Sequence, residues 1–489
     1  MNRLFLSLIS LAACMTSCTS PEPLTDYVDP RIGTAHSRWF FFTPAAVPFG
    51  MAKLAPTTDG HLGNPGGWQA VGYDARHTSI EGFANFHEFQ VGGVVIAPTV
   101  GALQTVPGPL DDPEAGYRSR FDKKDEVARP GYYSVLLKDY GVKAELTATE
   151  RVGFHRYTFP ASEEANLIFN IGTKMGESGP ARDASVTFTE DGRIEGWVVT
   201  EPVYVDIYQK GAVVKMYFSA LVDAEPASWG AFCGEEVFAG ERSRTGVGAG
   251  VYLRFDTRAR RDVGVKIGLS YTSVENARLN MNTEQPGFDF DKVRTAASTM
   301  WNKDLSKVQV EGGTKDEKTI FYTGMYHLLI HPNILQDVNG EYPMMESLKV
   351  GHTTGNRYTV FSLWDTYRNV STLMTLLYPE RQLDIIRTML DMYRENGWLP
   401  KWELYGRETF TMEGDPSIPY IVDAWMRGLR DFDEQTAYEA MRKGATTPGE
   451  FNLLRPDAND YFSKGYVPLR EQYDNSVSHA LEYYIADWN

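Results

Sequence analysis

Apolar residues recur at spacings of three and four along residues 361–414, and this period predicts two helices. The first set is Leu363, Trp364, Tyr367, Leu373, Met374 and Leu377, and the second is Ile385, Ile386, Met389, Leu390 and Tyr393. Because an α-helix turns once in about 3.6 residues, each set lies on one face of its helix. The stretch therefore predicts a pair of helices that pack through these faces.

Residues 27–271 show a shorter period, in which apolar and polar residues alternate as they do in half-buried strands. Asp191-Gly192 lies between two such runs and is a typical dipeptide of a tight hairpin turn. A second hairpin is predicted over residues 203–220, with its turn at Lys210-Gly211. Many short strands at this spacing are typical of a β-sandwich, which we assign to residues 24–275.

The helical period returns after a polar boundary and continues to the last residue. Residues 276–315 contain Pro286-Gly287 and a linker helix, and residues 316–489 are predicted to be helical. One helix is expected to begin at the N-cap Asp433 and to end at Gly444. Paired helices in series are typical of an α/α toroid. The predicted fold class is therefore α+β and multidomain, an N-terminal β-sandwich followed by an α/α toroid.

The last helix carries an apolar stripe just before the chain stops at Asn489. Its members are Val477, Ala480, Leu481, Tyr484, Ile485 and Trp488. A stripe this apolar needs a facing element. We therefore expect residues 316–489 to be the first part of a larger helical domain, truncated in this chain.

Charge and cysteine content narrow the function classes. The 489 residues include 48 Lys and Arg against 64 Asp and Glu, a net charge of −16. This balance argues against nucleic acid as a partner, because its binding needs basic patches. The three cysteines leave only Cys233 outside the N-terminal segment, so no internal disulfide framework is expected. No Cys/His cluster has the spacing of a zinc site.

Residues 1–18 have the pattern of a lipoprotein signal peptide. Arg3 supplies the positive charge, residues 4–13 form an apolar segment too short to span a bilayer, and small residues precede Cys14 and Cys18. We predict lipidation at Cys18, which leaves the more usual signal length; an ordinary secretory signal is the alternative. The protein is then secreted and lipid-anchored to the outer membrane, in the periplasm or at the cell surface of a Gram-negative bacterium.

Tryptophans and carboxylates are interleaved around the predicted helical pair. Trp364 directly precedes Asp365, and Trp402 directly precedes Glu403, with Glu408 close behind. An aromatic ring covers the apolar face of a pyranose, and carboxylates accept hydrogen bonds from its hydroxyls. The pattern is compatible with a sugar site, and a helical pair with tryptophans in its core is the alternative.

Several separate motifs, in one order, carry a family resemblance that covers residues 27–489. They are YVDPRIGT, PAAVPFGMAKLAP and IEGFANFHEFQVGG in the first half, and LWDTYR, YPER, LPKWEL, GRET and MEGDPSIPYIVDA in the second. Together they resemble glycoside hydrolase family 92, which consists of calcium-dependent exo-acting α-mannosidases. The resemblance also implies an (α/α)6 catalytic domain.

The resemblance implies an inverting reaction that removes terminal mannose from glycans, N-glycans among them, at an α-1,2 or related linkage. Inversion uses an acid and a base whose carboxyl groups are about 6.5–9.5 Å apart. By resemblance both groups and the calcium ligands lie beyond Asn489, so no catalytic or metal-binding residue is assigned and this chain alone is expected to be inactive. Carboxylates within the chain could in principle be catalytic, but capping or sugar-binding roles are favoured for them. They are Glu403, Glu408, Glu413 and Asp415.

Five residues are predicted to bind substrate. Trp364 and Asp365 match the family's Trp-Asp pair, in which the carboxylate accepts hydrogen bonds from the terminal mannose and the indole packs on its ring. Glu403, Trp68 and His87 are further candidates, each with a structural role as the alternative. The family's Gly-Tyr-His after Met412 is replaced here by residues 414–416, Gly-Asp-Pro, so the resemblance does not fix the linkage.

Two other functions are compatible with the sequence. A non-catalytic glycan-binding surface lipoprotein would need the binding surface alone. Another sandwich-plus-toroid glycoside hydrolase or a polysaccharide lyase would share the fold. A lyase needs a Tyr/His/Arg cluster and favours basic residues, and the acidic, aromatic stretch at residues 364–408 argues against it.

Overall fold

The computed structural model describes residues 22–35, 41–58, 72–87, 91–172, 178–347, 349–469 and 475–489. The predicted signal peptide, residues 1–18 with Cys14 and Cys18, and the candidate residue Trp68 lie outside these ranges. The described chain forms a β-sandwich followed by a helical domain, which confirms the predicted order of the two parts. None of its helices is both long enough and apolar enough to cross a membrane.

The first part of the chain is built from short strands. In chain order they are β1 (Ala55–Thr57), β2 (Ser79–Ile80), β3 (Gly82–Ala84), β4 (Val95–Val100), β5 (Ser119–Arg120), β6 (Val127–Arg129), β7 (Tyr132–Leu137), β8 (Val142–Ala148), β9 (Val152–Thr158), β10 (Ala165–Asn170), β11 (Ala181–Phe188), β12 (Arg193–Thr200), β13 (Val214–Val222), β14 (Ser228–Cys233), β15 (Glu236–Ala239), β16 (Ser243–Thr245), β17 (Ala249–Phe255) and β18 (Asp262–Ser270).

Two antiparallel sheets share one apolar core. Over the described residues one sheet has the order β1-β3-β4-β10-β17-β14-β15 and the other β16-β11-β12-β13-β18-β9-β8-β7-β6, while β2 pairs with β5. Strand β13 shows how the sequence forms this core. Its alternate residues Val214, Met216 and Phe218 are buried, whereas Lys215 and Tyr217 are partly exposed. Successive side chains of a strand point to opposite faces, so one face packs inward.

The predicted hairpins have different outcomes. Strands β11 and β12 pair around Asp191-Gly192, with Gly192 in the left-handed region at φ 80°, which confirms the first hairpin. The second is wrong in its first half, because Val203–Tyr208 form helix α1 and β13 begins only at Val214. Pro202 precedes the helix with φ −57°, close to a helical value, and Val205 anchors it in the core.

The second part of the chain is mainly helical. Its helices are α2 (Val274–Glu284), α3 (Phe290–Leu305), α4 (Lys315–Leu328), α5 (Leu363–Thr366), α6 (Val370–Leu377), α7 (Pro379–Asn396), α8 (Ser417–Met426), α9 (Glu434–Thr446), α10 (Ala458–Lys464) and α11 (Ser476–Trp488). Its short strands are β19 (Asn333–Ile334), β20 (Glu341–Pro343), β21 (Val350–His352), β22 (Tyr358–Thr359), β23 (Glu403–Leu404) and β24 (Arg407–Glu408).

Buried polar contacts join the sandwich to the helical part. Helix α2 occupies the predicted polar boundary, and its Asn280 donates hydrogen bonds to the carbonyl of Leu269 at 2.8 Å and to Asp337 at 2.7 Å. The Trp301 indole N–H of α3 donates to the carbonyl of Ala46 at 2.7 Å. Because Asn280 and Trp301 are both buried, these hydrogen bonds fix the position of the sandwich relative to the helical part.

The predicted helical pair is present with one interruption. Asn369 caps α6 and divides the first helix into α5 and α6, and α7 packs on α6 as expected. Asp433 caps α9, as predicted, by accepting a hydrogen bond from the Thr436 backbone N–H at 3.0 Å. The helix does not end at Gly444 but continues to Thr446.

The apolar stripe of α11 is largely exposed. Ala480 is buried, but Val477, Leu481 and Trp488 are 69%, 53% and 88% exposed. Helix α11 contacts α8, and its buried Tyr483 packs with Val467 and Ala480 in a small apolar cluster.

Candidate functional site

A short hairpin of β23 and β24 follows Trp402 directly in the sequence. Glu403 and Glu408 are directly opposite each other in this hairpin. The backbone N–H of Phe361 donates to the carbonyl of Glu403 at 2.9 Å. Residues 361–363 therefore lie beside residues 401–403, and this register brings the two tryptophan-carboxylate motifs together.

Glu408 holds the backbone around Trp402 in place. Its carboxylate accepts hydrogen bonds from the backbone N–H groups of Lys401 at 2.8 Å, Trp402 at 2.9 Å and Phe410 at 2.8 Å. Burial raises the pKa of Glu408, and the three N–H donors oppose that rise. We infer that Glu408 positions the loop, since its oxygens are engaged by main chain.

Glu403, opposite Glu408 in the same hairpin, is also buried. Its carboxylate accepts hydrogen bonds from the Thr359 hydroxyl at 2.9 Å and from the Gly406 backbone N–H at 2.6 Å. Burial raises the pKa of Glu403 to about 8. The predicted contact between Glu403 and a sugar stays a prediction, and the geometry supports an indirect role through Trp402 and the hairpin.

Asp365 lies at an open pocket. The Trp402 indole N–H donates to the Ser362 hydroxyl, which donates in turn to the Asp365 carboxylate. This chain of hydrogen bonds orients an exposed carboxylate at a cavity of about 180 Å³, which we call the Asp365 pocket. Its other walls are largely apolar and include Phe361, Leu363, Val370, Met374, Ile385 and Tyr420.

Trp364 lies beside the pocket and not in its wall. Its ring is half-buried under the guanidinium of Arg368, 4.8 Å from the ring centroid. Arg368 and Tyr367 both donate hydrogen bonds to Glu482 of α11, the latter at 2.8 Å. The stacking of Trp364 on a sugar, expected from the sequence, stays a prediction.

His87 is part of the sandwich core. It is fully buried and its ring stacks on Phe42 at 4.8 Å, with 12° between the planes. Phe42 lines a small cavity of about 150 Å³ that shares His331 with the Asp365 pocket. His87 therefore does not line the Asp365 pocket, and its contact with substrate stays a prediction.

A third and larger cavity lies between the sandwich and the helical part. It has a volume of about 610 Å³, and we call it the interdomain cavity. Its walls include Tyr204, Tyr208, Lys401, Phe410, Glu413 and His479. The sequence did not reveal it, because these residues come from distant segments and α1 was predicted as a strand. The four-residue spacing of Tyr204 and Tyr208 was the available signal.

Buried charges lie in the wall of this cavity and close to it. Burial lowers the pKa of Lys401 to about 8, although Asp415, Glu408 and Glu413 favour its charged form. The Asp415 carboxylate lies 3.7 Å from the Arg455 guanidinium, and burial raises its pKa. Asp415 is therefore paired within the protein and not presented to either cavity.

Residues with strained backbone line the Asp365 pocket and the interdomain cavity. Val360, Tyr405, Phe410 and Met412 have positive φ angles of 68°, 52°, 52° and 71°. Residues with a side chain adopt this region rarely, at a cost of about 1–3 kcal/mol, and such residues cluster at ligand sites. Three of the four line a cavity, which supports a binding role for this region.

The family resemblance implies a calcium ion, and the described residues do not supply its site. Within them no group of three or more His, Cys, Asp or Glu side chains converges in a way that could hold a metal ion. Calcium prefers six to eight oxygen ligands, several of them carboxylates. We therefore derive no step through a metal.

Comparison with known proteins gives the family. Residues 27–270 match the glycosyl hydrolase family 92 N-terminal domain, and residues 276–489 match the glycosyl hydrolase family 92 catalytic domain. The chain belongs to glycosyl hydrolase family 92. This membership sets aside the alternatives of a polysaccharide lyase and of another glycoside hydrolase family.

Solved family 92 structures share the fold. A family 92 α-mannosidase from Bacteroides thetaiotaomicron is 31% identical, with a TM-score of 0.86 over 96% of this chain and 61% of its own. A family 92 inverting mannosidase from Bacteroides thetaiotaomicron VPI-5482 is 25% identical, with a TM-score of 0.83 over 95% of this chain and 61% of its own.

A curated fungal relative has a similar extent of match. It is an uncharacterized secreted glycosidase of Arthroderma benhamiae, 27% identical over 504 residues, which cover 94% of this chain and 58% of that protein. The chain thus spans about three fifths of the length of the family 92 relatives that it matches.

Proposed function

We propose that this chain carries the mannose-recognising part of a secreted, exo-acting, inverting α-mannosidase. Asp365 accepts hydrogen bonds from hydroxyls of the terminal mannose, and Trp402 and Ser362 hold its carboxylate in place. Glu403 and Glu408 act one layer further out, by fixing the hairpin that carries Trp402.

One observation carries this proposal. An exposed carboxylate, oriented by a buried indole through one hydroxyl, lies at the mouth of a pocket with apolar walls. A pyranose needs both features, since its ring hydrogens are apolar and its hydroxyls need fixed acceptors. The 31% identical α-mannosidase has also been solved in complex with mannoimidazole, which supports mannose as the sugar.

The catalytic groups belong to the whole protein in this proposal. Inversion needs a carboxylic acid and a carboxylate on opposite sides of the sugar, about 6.5–9.5 Å apart. Glu403, Glu408 and Asp415 are each engaged by main chain or by Arg455. Because the chain spans about three fifths of the length of its relatives, we place the acid, the base and the calcium ligands in the remaining part of that length, and we keep the linkage as α-1,2 or related.

Replacing Asp365 by alanine tests mannose recognition. The variant should bind methyl α-mannopyranoside and mannoimidazole about tenfold or more weakly, because a hydrogen bond to a charged group contributes about 1.5–3 kcal/mol. Titration calorimetry on the purified protein measures the loss, and kcat/KM on α-linked mannobioses should fall at least as far in the whole protein.

The control for this test is Asp431→Ala. Asp431 pairs with Arg387 on the surface, with its side chain 89% exposed. Its loss should leave affinity and the melting temperature unchanged. Normal mannose binding by a correctly folded Asp365→Ala variant would show that the carboxylate does not recognise the sugar.

A further inference from the structure

Helix α5 carries Trp364 and Asp365, although it consists of only four residues. A single helical turn closes too few hydrogen bonds to be stable by itself, so neighbouring elements must hold it in place. The chain just before α5 is held by the hairpin, since the backbone N–H of Phe361 donates to the carbonyl of Glu403 at 2.9 Å. The direction of the Asp365 carboxylate therefore depends on what holds the other end of α5.

That other end is held by Glu482, a residue of helix α11. Its two carboxylate oxygens accept hydrogen bonds from the two residues that directly follow α5. The Tyr367 hydroxyl donates to Oε2 at 2.8 Å, and the Arg368 guanidinium donates to Oε1. Hydrogen bonds between a guanidinium and a carboxylate are stronger than those between neutral groups, because both partners are charged. Glu482 therefore joins α11 to the end of α5.

Arg368 connects Glu482 to Trp364. Its guanidinium lies 4.8 Å from the centroid of the Trp364 ring and 4.4 Å from that of the Tyr367 ring, and it donates a hydrogen bond to the carbonyl of Trp364. A cation over an aromatic ring is attracted by the negative face of the ring. The Arg368 side chain is 42% exposed, so without the carboxylate it would be free to leave the ring. Glu482 therefore fixes the cation that lies over Trp364.

Packing encloses the Glu482 side chain. Glu482 is buried, and a Cβ atom at Gly414 would lie 2.4 Å from the Glu482 Cβ, so only a glycine permits this close approach. Gly414 has a φ of 75°, which glycine adopts without strain. The stem of Glu482 is therefore confined by the neighbouring loop, and its carboxylate is a fixed acceptor for the two donors that follow α5.

We propose that Glu482 is a positioning residue for mannose recognition. Through Tyr367 and Arg368 it holds the end of α5. It thereby fixes the direction of the Asp365 carboxylate and the place of Trp364 beside it. Glu482 itself does not touch the sugar, and α11 acts on recognition through α5 alone. The inference rests on the proposed function, because it requires that Asp365 bind the terminal mannose.

Calorimetry with methyl α-mannopyranoside and mannoimidazole tests this role on the purified protein. Glu482→Ala should weaken the binding of both sugars about three- to tenfold, because the sugar then has to order α5 as it binds. Glu482→Gln is the milder change, since it keeps the shape and one acceptor oxygen. It should weaken both sugars measurably but less than the alanine does. The melting temperature of each variant shows that it is folded.

Asp487 is the matched control on the same helix. Its carboxylate also accepts hydrogen bonds from an arginine and a tyrosine, Arg455 at 2.6 Å and Tyr461 at 2.8 Å. Neither donor belongs to α5 or directly follows it. Asp487→Ala should therefore leave the affinity for both sugars unchanged, whatever it does to the melting temperature. If Glu482 only stabilised α11, the two alanine variants would weaken binding alike.

A variant without the connecting side chains tests the route. When Tyr367→Phe and Arg368→Ala are combined, Glu482 has lost both of its donors. Adding Glu482→Ala to this pair should change sugar affinity less than twofold, because residues that act through the same contacts are not additive.

The possible results distinguish this inference from the proposed function. Suppose that Asp365→Ala weakens sugar binding. The positioning role is then wrong if the folded Glu482 variants bind normally, if Asp487→Ala weakens binding as much as Glu482→Ala, or if the Glu482 effect persists without its two donors. If the wild type binds neither sugar, or Asp365→Ala binds both normally, the proposed function and this inference are both wrong. A loss with Glu482→Ala that disappears without the donors, together with normal binding by Asp487→Ala, supports both.

Discussion

Glu403 illustrates how a residue of a sugar-binding motif can serve the site from behind it. The side chain is fully buried, and its neighbours are the Thr359 hydroxyl, the Gly406 backbone N–H and the charges of Arg357 and Glu408. Burial favours the neutral acid over the carboxylate, which is why the pKa rises to about 8 from the usual 4.5. The folded protein therefore holds a proton that the unfolded chain releases.

Because of this bound proton, the free energy of unfolding should depend on pH. The stabilisation from protonated Glu403 is fully present below about pH 4.5 and is lost as the pH rises through about 8, by at most about 1.4 kcal/mol per pH unit. Urea unfolding at pH 5, 6.5 and 8 measures it. The wild type should lose stability with rising pH relative to Glu403→Gln, which cannot ionise.

Glu439→Gln is the matched control, because Glu439 is exposed on α9. Its profile should run parallel to that of the wild type. A Glu403→Gln profile that also runs parallel would mean that Glu403 is already ionised in the folded protein at pH 5.

At the scale of elements, the sequence predicts what depends on local period and turn chemistry. The Asp191-Gly192 hairpin and the α6–α7 pair follow from patterns within a few turns of chain. Helix α1 was not predicted, because alternation in a short segment is compatible with both a strand and a helix, and the docking of Val205 decides between them. The interdomain cavity depends on that docking and could not be seen without it.

Gly444 was predicted to end α9, and packing explains why it does not. A Cβ atom at this position would lie 2.6 Å from Asp415 Oδ2, so the glycine allows a close approach in the last turn of the helix. Gly444→Ala should therefore destabilise the protein by about 1–3 kcal/mol, although alanine usually favours a helix. Chemical denaturation gives the change in the free energy of unfolding.

Gly324 in α4 provides the opposite case. It is exposed, and a Cβ atom there would meet no atom within 4 Å. Gly324→Ala should stabilise the protein by about 0.5–1 kcal/mol through helix propensity alone. Stabilisation by both alanines would show that α9 can move away from Asp415.

At the scale of the whole molecule, the interdomain cavity depends on contacts between the two parts of the chain. The sandwich supplies Tyr204 and Tyr208 to its walls, the helical part supplies Lys401 and Glu413, and buried bonds of Asn280 and Trp301 fix the relation of the two parts. Sequence motifs identified Asp365 and Trp402 as part of one pattern. They could not show that a strand-rich region forms part of a cavity beside Trp402, since that depends on long-range packing.

The anchoring of the molecule is predicted from the N-terminal sequence alone. A short apolar segment and small residues precede Cys18, so we expect a fatty acyl group on this cysteine in a Gram-negative host. Metabolic labelling with an alkyne fatty acid should tag the wild type and Cys14→Ala but not Cys18→Ala. Cys233→Ala is the control, because this partly buried thiol contacts the Val247 carbonyl and should not affect labelling. Label that follows Cys14 would move the anchor to that residue, and an unlabelled wild type would favour an ordinary secretory signal.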